Sequence, residues 1–167
     1  MKKYRYLIAL FFLVFLLYLV LSNCSHKADV KIGQQAPSFA LPDINGNEVN
    51  FSDYKGKVIL IRFWTLECTA CEKEMPELDN LYRIHKDKGL AILAVNVRQL
   101  KEPVTRFAED NHLSYPVLLD TYSKIASLYG IRGVPVSFII SKDGKVTEKI
   151  YGEVDKETIE SLMVKLL

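Results

Sequence analysis

Apolar residues along this chain fall into two kinds of pattern, and their order predicts strands alternating with helices. Three stretches, Val58–Trp64, Leu90–Val97 and Val136–Ile140, are nearly continuous blocks of Val, Ile, Leu and aromatic side chains. Short blocks of that kind fit strands buried on both faces, and Val58–Trp64 in particular calls for a parallel neighbour. Elsewhere the apolar positions widen to helical spacing. After Cys68 they fall at Leu78, Leu81, Tyr82 and Ile84, up to Lys88-Gly89, where glycine suits a left-handed cap. Pro76 lies inside this helix and must bend it. Further helices are expected over 104–111, over 124–129 before Gly130, and over 156–167. A short strand is expected over 115–119.

Two turn signals complete the outline. Asn45-Gly46 separates an extended segment, 37–43, from a second short strand through Val49 and Phe51. Residues 52–57 read as a further turn. Asp143-Gly144 folds Val136–Ile140 back onto Val146–Tyr151. The expected architecture is α/β, a mixed sheet with helices on both faces.

The amino terminus follows a different pattern. Lys2, Lys3 and Arg5 precede an uncharged run from Tyr6 to Leu21 dominated by Leu, Phe, Val and Ile, none of whose faces is polar. A basic flank before such a run predicts a secretory signal or a retained signal-anchor, with everything downstream outside the cytoplasm. The run is slightly shorter than the ~20 apolar residues of a full span. The expected divisions are therefore an anchor or signal over 1–24, a polar linker over 25–33 and one domain over 34–167. Leu21-Ser22-Asn23-Cys24 is similar to the lipobox of bacterial lipoproteins, which makes Cys24 a candidate lipidation site. Asn23 departs from the small residue usual there, so a retained anchor is the preferred reading.

Composition narrows the function classes. The net charge of +2 over 167 residues, with basic residues spread among acids, leaves no patch of the density that nucleic-acid binding needs. Of three cysteines, Cys68 and Cys71 are two residues apart, where a strand feeds a helix. The unpaired N–H groups and positive end of a helix stabilise a thiolate, so Cys68 is the candidate nucleophile and Cys71 the resolving thiol. A bridge across so short a loop would restrain little chain entropy as a purely structural element. A zinc site lacks a second cysteine pair, and His26, His85 and His112 show no metal-ligand spacing. Haem attachment needs a histidine where the chain has Glu72.

Phe63-Trp64 ahead of the C-x-x-C, Pro76 five residues after Cys71, and Gly133-Val134-Pro135 before a strand resemble the thioredoxin superfamily. More narrowly, the segment 36–42, the insertion around residues 98–128, the Tyr115-Pro116-Val117-Leu118-Leu119-Asp120 stretch and the anchor resemble the TlpA/ResA-type thiol-disulfide oxidoreductases. The resemblance covers roughly 34–167. It implies a thioredoxin-like fold with an added hairpin and a central αβ insertion, and a cis Pro135 facing the dithiol. It also implies a proton-managing role for Glu74, and no metal or organic cofactor. Implied partners are protein disulfides, of which apocytochrome c is the family's best-known type, and a CcdA- or DsbD-type membrane electron donor. A monomer is expected.

Three positions depart from the family pattern. Arg62 occupies a place that holds aspartate in thioredoxins and often asparagine in ResA-like proteins. By strand alternation it shares a face with Leu60 and Trp64, so its charge needs a partner, and Glu74 is the expected one. Glu67 replaces a tryptophan before the attacking cysteine, where a carboxylate opposes thiolate formation. Ala70 stands where many members have proline. The balance favours a reductant. Two rivals share the fold. A peroxiredoxin-type peroxidase fits Thr65, three residues before Cys68, but not Ile61, where those enzymes carry proline. A copper-binding assembly protein would need wider cysteine spacing and a distant histidine, for which His112 is a poor candidate.

Overall fold

In the computed structural model the described residues are 29–167, together with Tyr4, Phe11 and residues 13–15, all five helical. Cys24 and most of the proposed anchor lie outside the described residues. No helix among those described is long and apolar enough to cross a membrane.

Strands β1 (Ala40–Pro42) and β2 (Glu48–Asn50) pair antiparallel as a separate hairpin. A 3-10 turn over Phe51–Tyr54 leads to β3 (Val58–Trp64). Helix α1 (Thr69–His85) follows, then a 3-10 turn over Lys86–Lys88 and β4 (Leu90–Val97). Next come α2 (Lys101–Asp110), β5 (Val117–Asp120) and α3 (Lys124–Leu128). Strands β6 (Val136–Ile140) and β7 (Val146–Tyr151) and helix α4 (Lys156–Val164) close the chain. The main sheet has the order β5-β4-β3-β6-β7. Strands β3, β4 and β5 run parallel, while β6 and β7 join antiparallel, which makes the sheet mixed as expected.

Strand β3 lies at the centre and every residue of it is buried. Its alternation divides the core. Ile59, Ile61 and Phe63 face a layer made by Phe39, Leu41 and Phe51 of the hairpin region and by Ala126 and Tyr129. Tyr129 meets Phe39, Phe63 and Phe138 edge-on or tilted, and its hydroxyl donates to the Pro37 carbonyl at 2.7 Å. Leu60 and Trp64 face the opposite layer, built from Met75, Leu78 and Leu81 of α1, Val104 and Ala108 of α2, and Ile159 and Met163 of α4. Helices therefore cover both faces, three on one side and α3 with the hairpin on the other.

Several boundaries differ from the sequence pattern. Helix α2 begins three residues earlier than position 104, because Lys101 and Glu102 are good helix formers and Pro103 is tolerated in a first turn. Strand β5 starts at Val117 rather than Tyr115, whose hydroxyl instead donates to the Met75 carbonyl of α1 at 2.9 Å. Phe51 ends the hairpin by opening the 3-10 turn, burying its ring against Phe39. The hairpin loop spans residues 43–47 and is held by Asp43, whose Oδ1 accepts the amides of Asn45 and Asn47 at 2.8 Å each. Ile84, expected on the apolar face of α1, is 54% exposed. Helix α1 itself ends at His85, and Gly89, with φ 97°, caps the 3-10 turn Lys86–Lys88 that follows it rather than the helix.

Candidate active site

The site grows from the carboxyl end of β3, where Thr65, Leu66 and Glu67 turn the chain from the central strand into α1. Cys68 is the N-cap of α1, with extended backbone at φ −107° and ψ 95°. Its Sγ accepts the Cys71 N–H at 3.2 Å, satisfying one of the amides that a helix start leaves unpaired. Cys68 and Cys71 form a disulfide with Cα atoms 5.2 Å apart. Cys71 is wholly buried in the first turn, whereas Cys68 is partly exposed. Of this pair, only Cys68 reaches the surface.

The Val134–Pro135 peptide bond is cis, as the resemblance implied. It leads directly into β6, whose Val136 pairs with Phe63 of β3. The start of β6 is thus beside the end of β3 from which the dithiol loop departs. The Pro135 carbonyl accepts the Gly152 amide at 2.9 Å. One groove, lined by Thr65, Glu67, Gln99, Arg132, Gly133 and Val134 among others, runs between the two loops.

One turn beyond Cys71 on α1, Glu74 forms an ion pair with Arg62 of β3, the two side chains being 6% and 0% exposed. The expected pairing is present. Arg62 Nη1 also donates to Ser137 Oγ at 2.8 Å, across the β3–β6 register that places these residues opposite each other. Glu74 Oε1 accepts the Val154 amide at 3.0 Å. Burial lowers the Arg62 pKa to about 10, with Tyr115 and Glu153 opposing that shift, so the guanidinium stays charged at neutral pH. A charge taken this far from water persists only where the opposite charge and neutral partners meet it.

A second network, which no sequence signal points to, lies beside the loop. Gln99 Oε1 accepts both the Leu66 amide and Asn96 Nδ2, each at 2.8 Å. Its Nε2 donates to Glu67 Oε2 at 3.0 Å. Gln99 stands in the connection after β4, and nothing in its local pattern separates it from an ordinary loop residue. Ser137 and the Val154 amide are equally hidden, since both reach the site through strand pairing and tertiary packing. Of the histidines, His85 contacts Glu160 of α4 at 2.9 Å and His112 is exposed on the row of residues after α2; His26 lies outside the described residues. Among the described residues, no cluster of three or more His, Cys, Asp or Glu side chains is arranged to hold a metal ion.

A family model described as AhpC/TSA matches residues 32–149. The chain belongs to the AhpC/TSA family. Within it, the thiol-disulfide oxidoreductase ResA of Bacillus cereus is 39% identical over 84% of this chain and 81% of its own length. The ResA of Geobacillus thermodenitrificans is 39% identical over 93% of this chain and 90% of its own length. Among solved structures, the Chlorobium tepidum protein assigned as thiol:disulfide interchange protein DsbE superposes with a TM-score of 0.78. It is 31% identical and aligns over 83% of this chain and 99% of that one. This AhpC/TSA member, with its Cys68–Cys71 disulfide, is a ResA-like thiol-disulfide oxidoreductase.

Proposed function

We propose that this oxidoreductase works as a reductant of protein disulfides, tethered outside the cytoplasm by residues 1–24 through a linker over 25–33. The observation that supports the reading best is the asymmetry of the pair: a partly exposed Cys68 at the helix start and a buried Cys71 behind it. In the reduced state the Cys68 thiolate attacks one sulfur of a substrate disulfide, and the other substrate sulfur leaves as a thiolate. Cys71, having lost its proton, then attacks Cys68 Sγ and expels the second substrate sulfur. The substrate gains two electrons, and the protein is left with the Cys68–Cys71 disulfide.

Glu74, one helical turn beyond Cys71, manages the proton that Cys71 must lose, and Arg62 holds its carboxylate in place. Pro135 flanks the groove where a substrate segment would pair. Returning the disulfide to a dithiol requires electrons delivered from the membrane, the role of a CcdA- or DsbD-type donor. Apocytochrome c, with its paired haem-attachment cysteines, is the substrate type that suits this arrangement.

The family match and Thr65, three residues before Cys68, favour one second reading, a thiol peroxidase. A single experiment separates the two. The chain is reduced, freed of reductant and offered either a protein disulfide or hydrogen peroxide. Stoichiometric reduction of the protein disulfide with negligible peroxide consumption is expected, and the reverse result replaces the reductant with a peroxidase.

A further inference from the structure

We propose that Gln99 is a positioning residue for the dithiol, holding the Glu67 carboxylate beside Cys68 so that its negative charge opposes the Cys68 thiolate. The inference rests on the reading of Cys68 as the attacking sulfur. The loop's own bonding is weak. Between β3 and α1, the Cys68 amide reaches the Thr65 carbonyl only at 3.4 Å. The Leu66 amide is instead taken up by Gln99 Oε1. Gln99 is in turn anchored on Asn96, a fully buried residue of β4 that stands opposite Trp64 in the sheet register.

These partners fix the orientation of the Gln99 amide. Its oxygen receives two N–H donors, and its NH₂ faces a carboxylate. Turning the amide over would set NH₂ against the Leu66 amide and the Asn96 NH₂, and set oxygen against Glu67 Oε2. Only one orientation satisfies all three contacts. Glu67 is exposed, and without this bond its side chain would swing through water with its charge spread over many positions. With it, one carboxylate oxygen is tied to the groove wall, next in sequence to the nucleophile. Arg98 and Arg132 line the same groove, but Arg98 Nε is directed to Ser123 Oγ at 2.7 Å. A fixed like charge disfavours the thiolate, and a destabilised thiolate moves the couple toward the reducing side.

A double-mutant cycle on the full chain tests this, read as the pH dependence of iodoacetamide labelling at Cys68 followed by peptide mass. The four proteins are the unsubstituted chain, Gln99→Met, Glu67→Gln and the double variant. Glu67→Gln is expected to lower the Cys68 pKa by about half a unit, the size of one like charge a few ångströms away in a wet site. Gln99→Met is expected to lower it similarly when Glu67 is present, and to do nothing when Glu67 is already Gln. The shift should shrink in high salt. An equal shift in both backgrounds would make Gln99 a plain loop support, and no shift in either would mean that the carboxylate is not held near the sulfur; either result overturns the proposal. Glu67→Gln changes an exposed side chain, so its arm stands even if Gln99→Met fails to fold. Failure of the unsubstituted chain to reduce a protein disulfide would count against the proposed function instead, with the labelling cycle still readable.

Discussion

Arg62 is the largest charged side chain buried in this core, and Glu74, with Ser137 beside it, is what makes that burial tolerable. Removing one partner of such a pair leaves an uncompensated charge, which costs about 3–5 kcal/mol. Arg62→Ala is therefore expected to destabilise the chain by that amount in denaturant unfolding, and to shift the pH dependence of cysteine labelling. Replacing both partners together with apolar residues of similar volume should restore most of the stability while leaving the labelling profile altered. At the sulfurs, Cys71→Ser should accumulate a mixed disulfide through Cys68, visible as a substrate-sized mass increase lost on reduction, whereas Cys68→Ser should accumulate none. The Arg62–Glu74 pair is legible in the sequence. Strand alternation puts Arg62 on the face of Leu60 and Trp64, where its charge needs a partner, and the residue spacing after Cys71 sets Glu74 one turn along the helix. Gln99 is not legible there, because two of its three partners, Leu66 and Glu67, lie in the distant β3–α1 loop and its own neighbourhood in sequence looks like ordinary loop.

At the scale of elements, α1 carries the dithiol at one end and is fastened along its length by side-chain contacts. Asp79 accepts from the Ser114 amide and, at 2.7 Å, from the Ser114 hydroxyl, and pairs with Arg83 one turn on, tying the middle of α1 to the segment before β5. Burial pushes the Asp79 carboxyl up, but the Ser114 donors and Arg83 outweigh it and leave it below the ordinary 3.8. A carboxyl lowered in the folded state adds stability that is complete above the unfolded value. That stability drains away as pH falls below 3.8 and through the lowered native value. Asp79→Asn should cost roughly 1–3 kcal/mol at neutral pH and flatten the acid-side decline in unfolding free energy. Elements of this kind are visible in the hydrophobic pattern, because continuous apolar blocks and 3.6-residue spacing are set by burial. Their ends are less so. Tyr115 has the composition of a strand residue, yet it leaves β5 to bond the Met75 carbonyl, a choice made by tertiary contact.

Over the whole molecule, a central strand buried along its full length sets the sheet order, and the sheet order puts the start of β6 beside the end of β3. That adjacency brings the cis-proline loop beside the strand end from which the dithiol loop departs and sets Ser137 opposite Arg62. This topology is readable from the chain because turn or helix signals separate each block of the sheet and leave few ways to connect it. The direction of electron flow is the claim on which the proposed function depends. The decisive measurement is the reduction potential of the Cys68–Cys71 couple, obtained by equilibrating the chain with glutathione and with dithiothreitol. The expected value lies well below about −200 mV, among disulfides whose dithiol donates electrons. A value near that of DsbA, about −120 mV, would make the protein an oxidant and contradict the proposed direction.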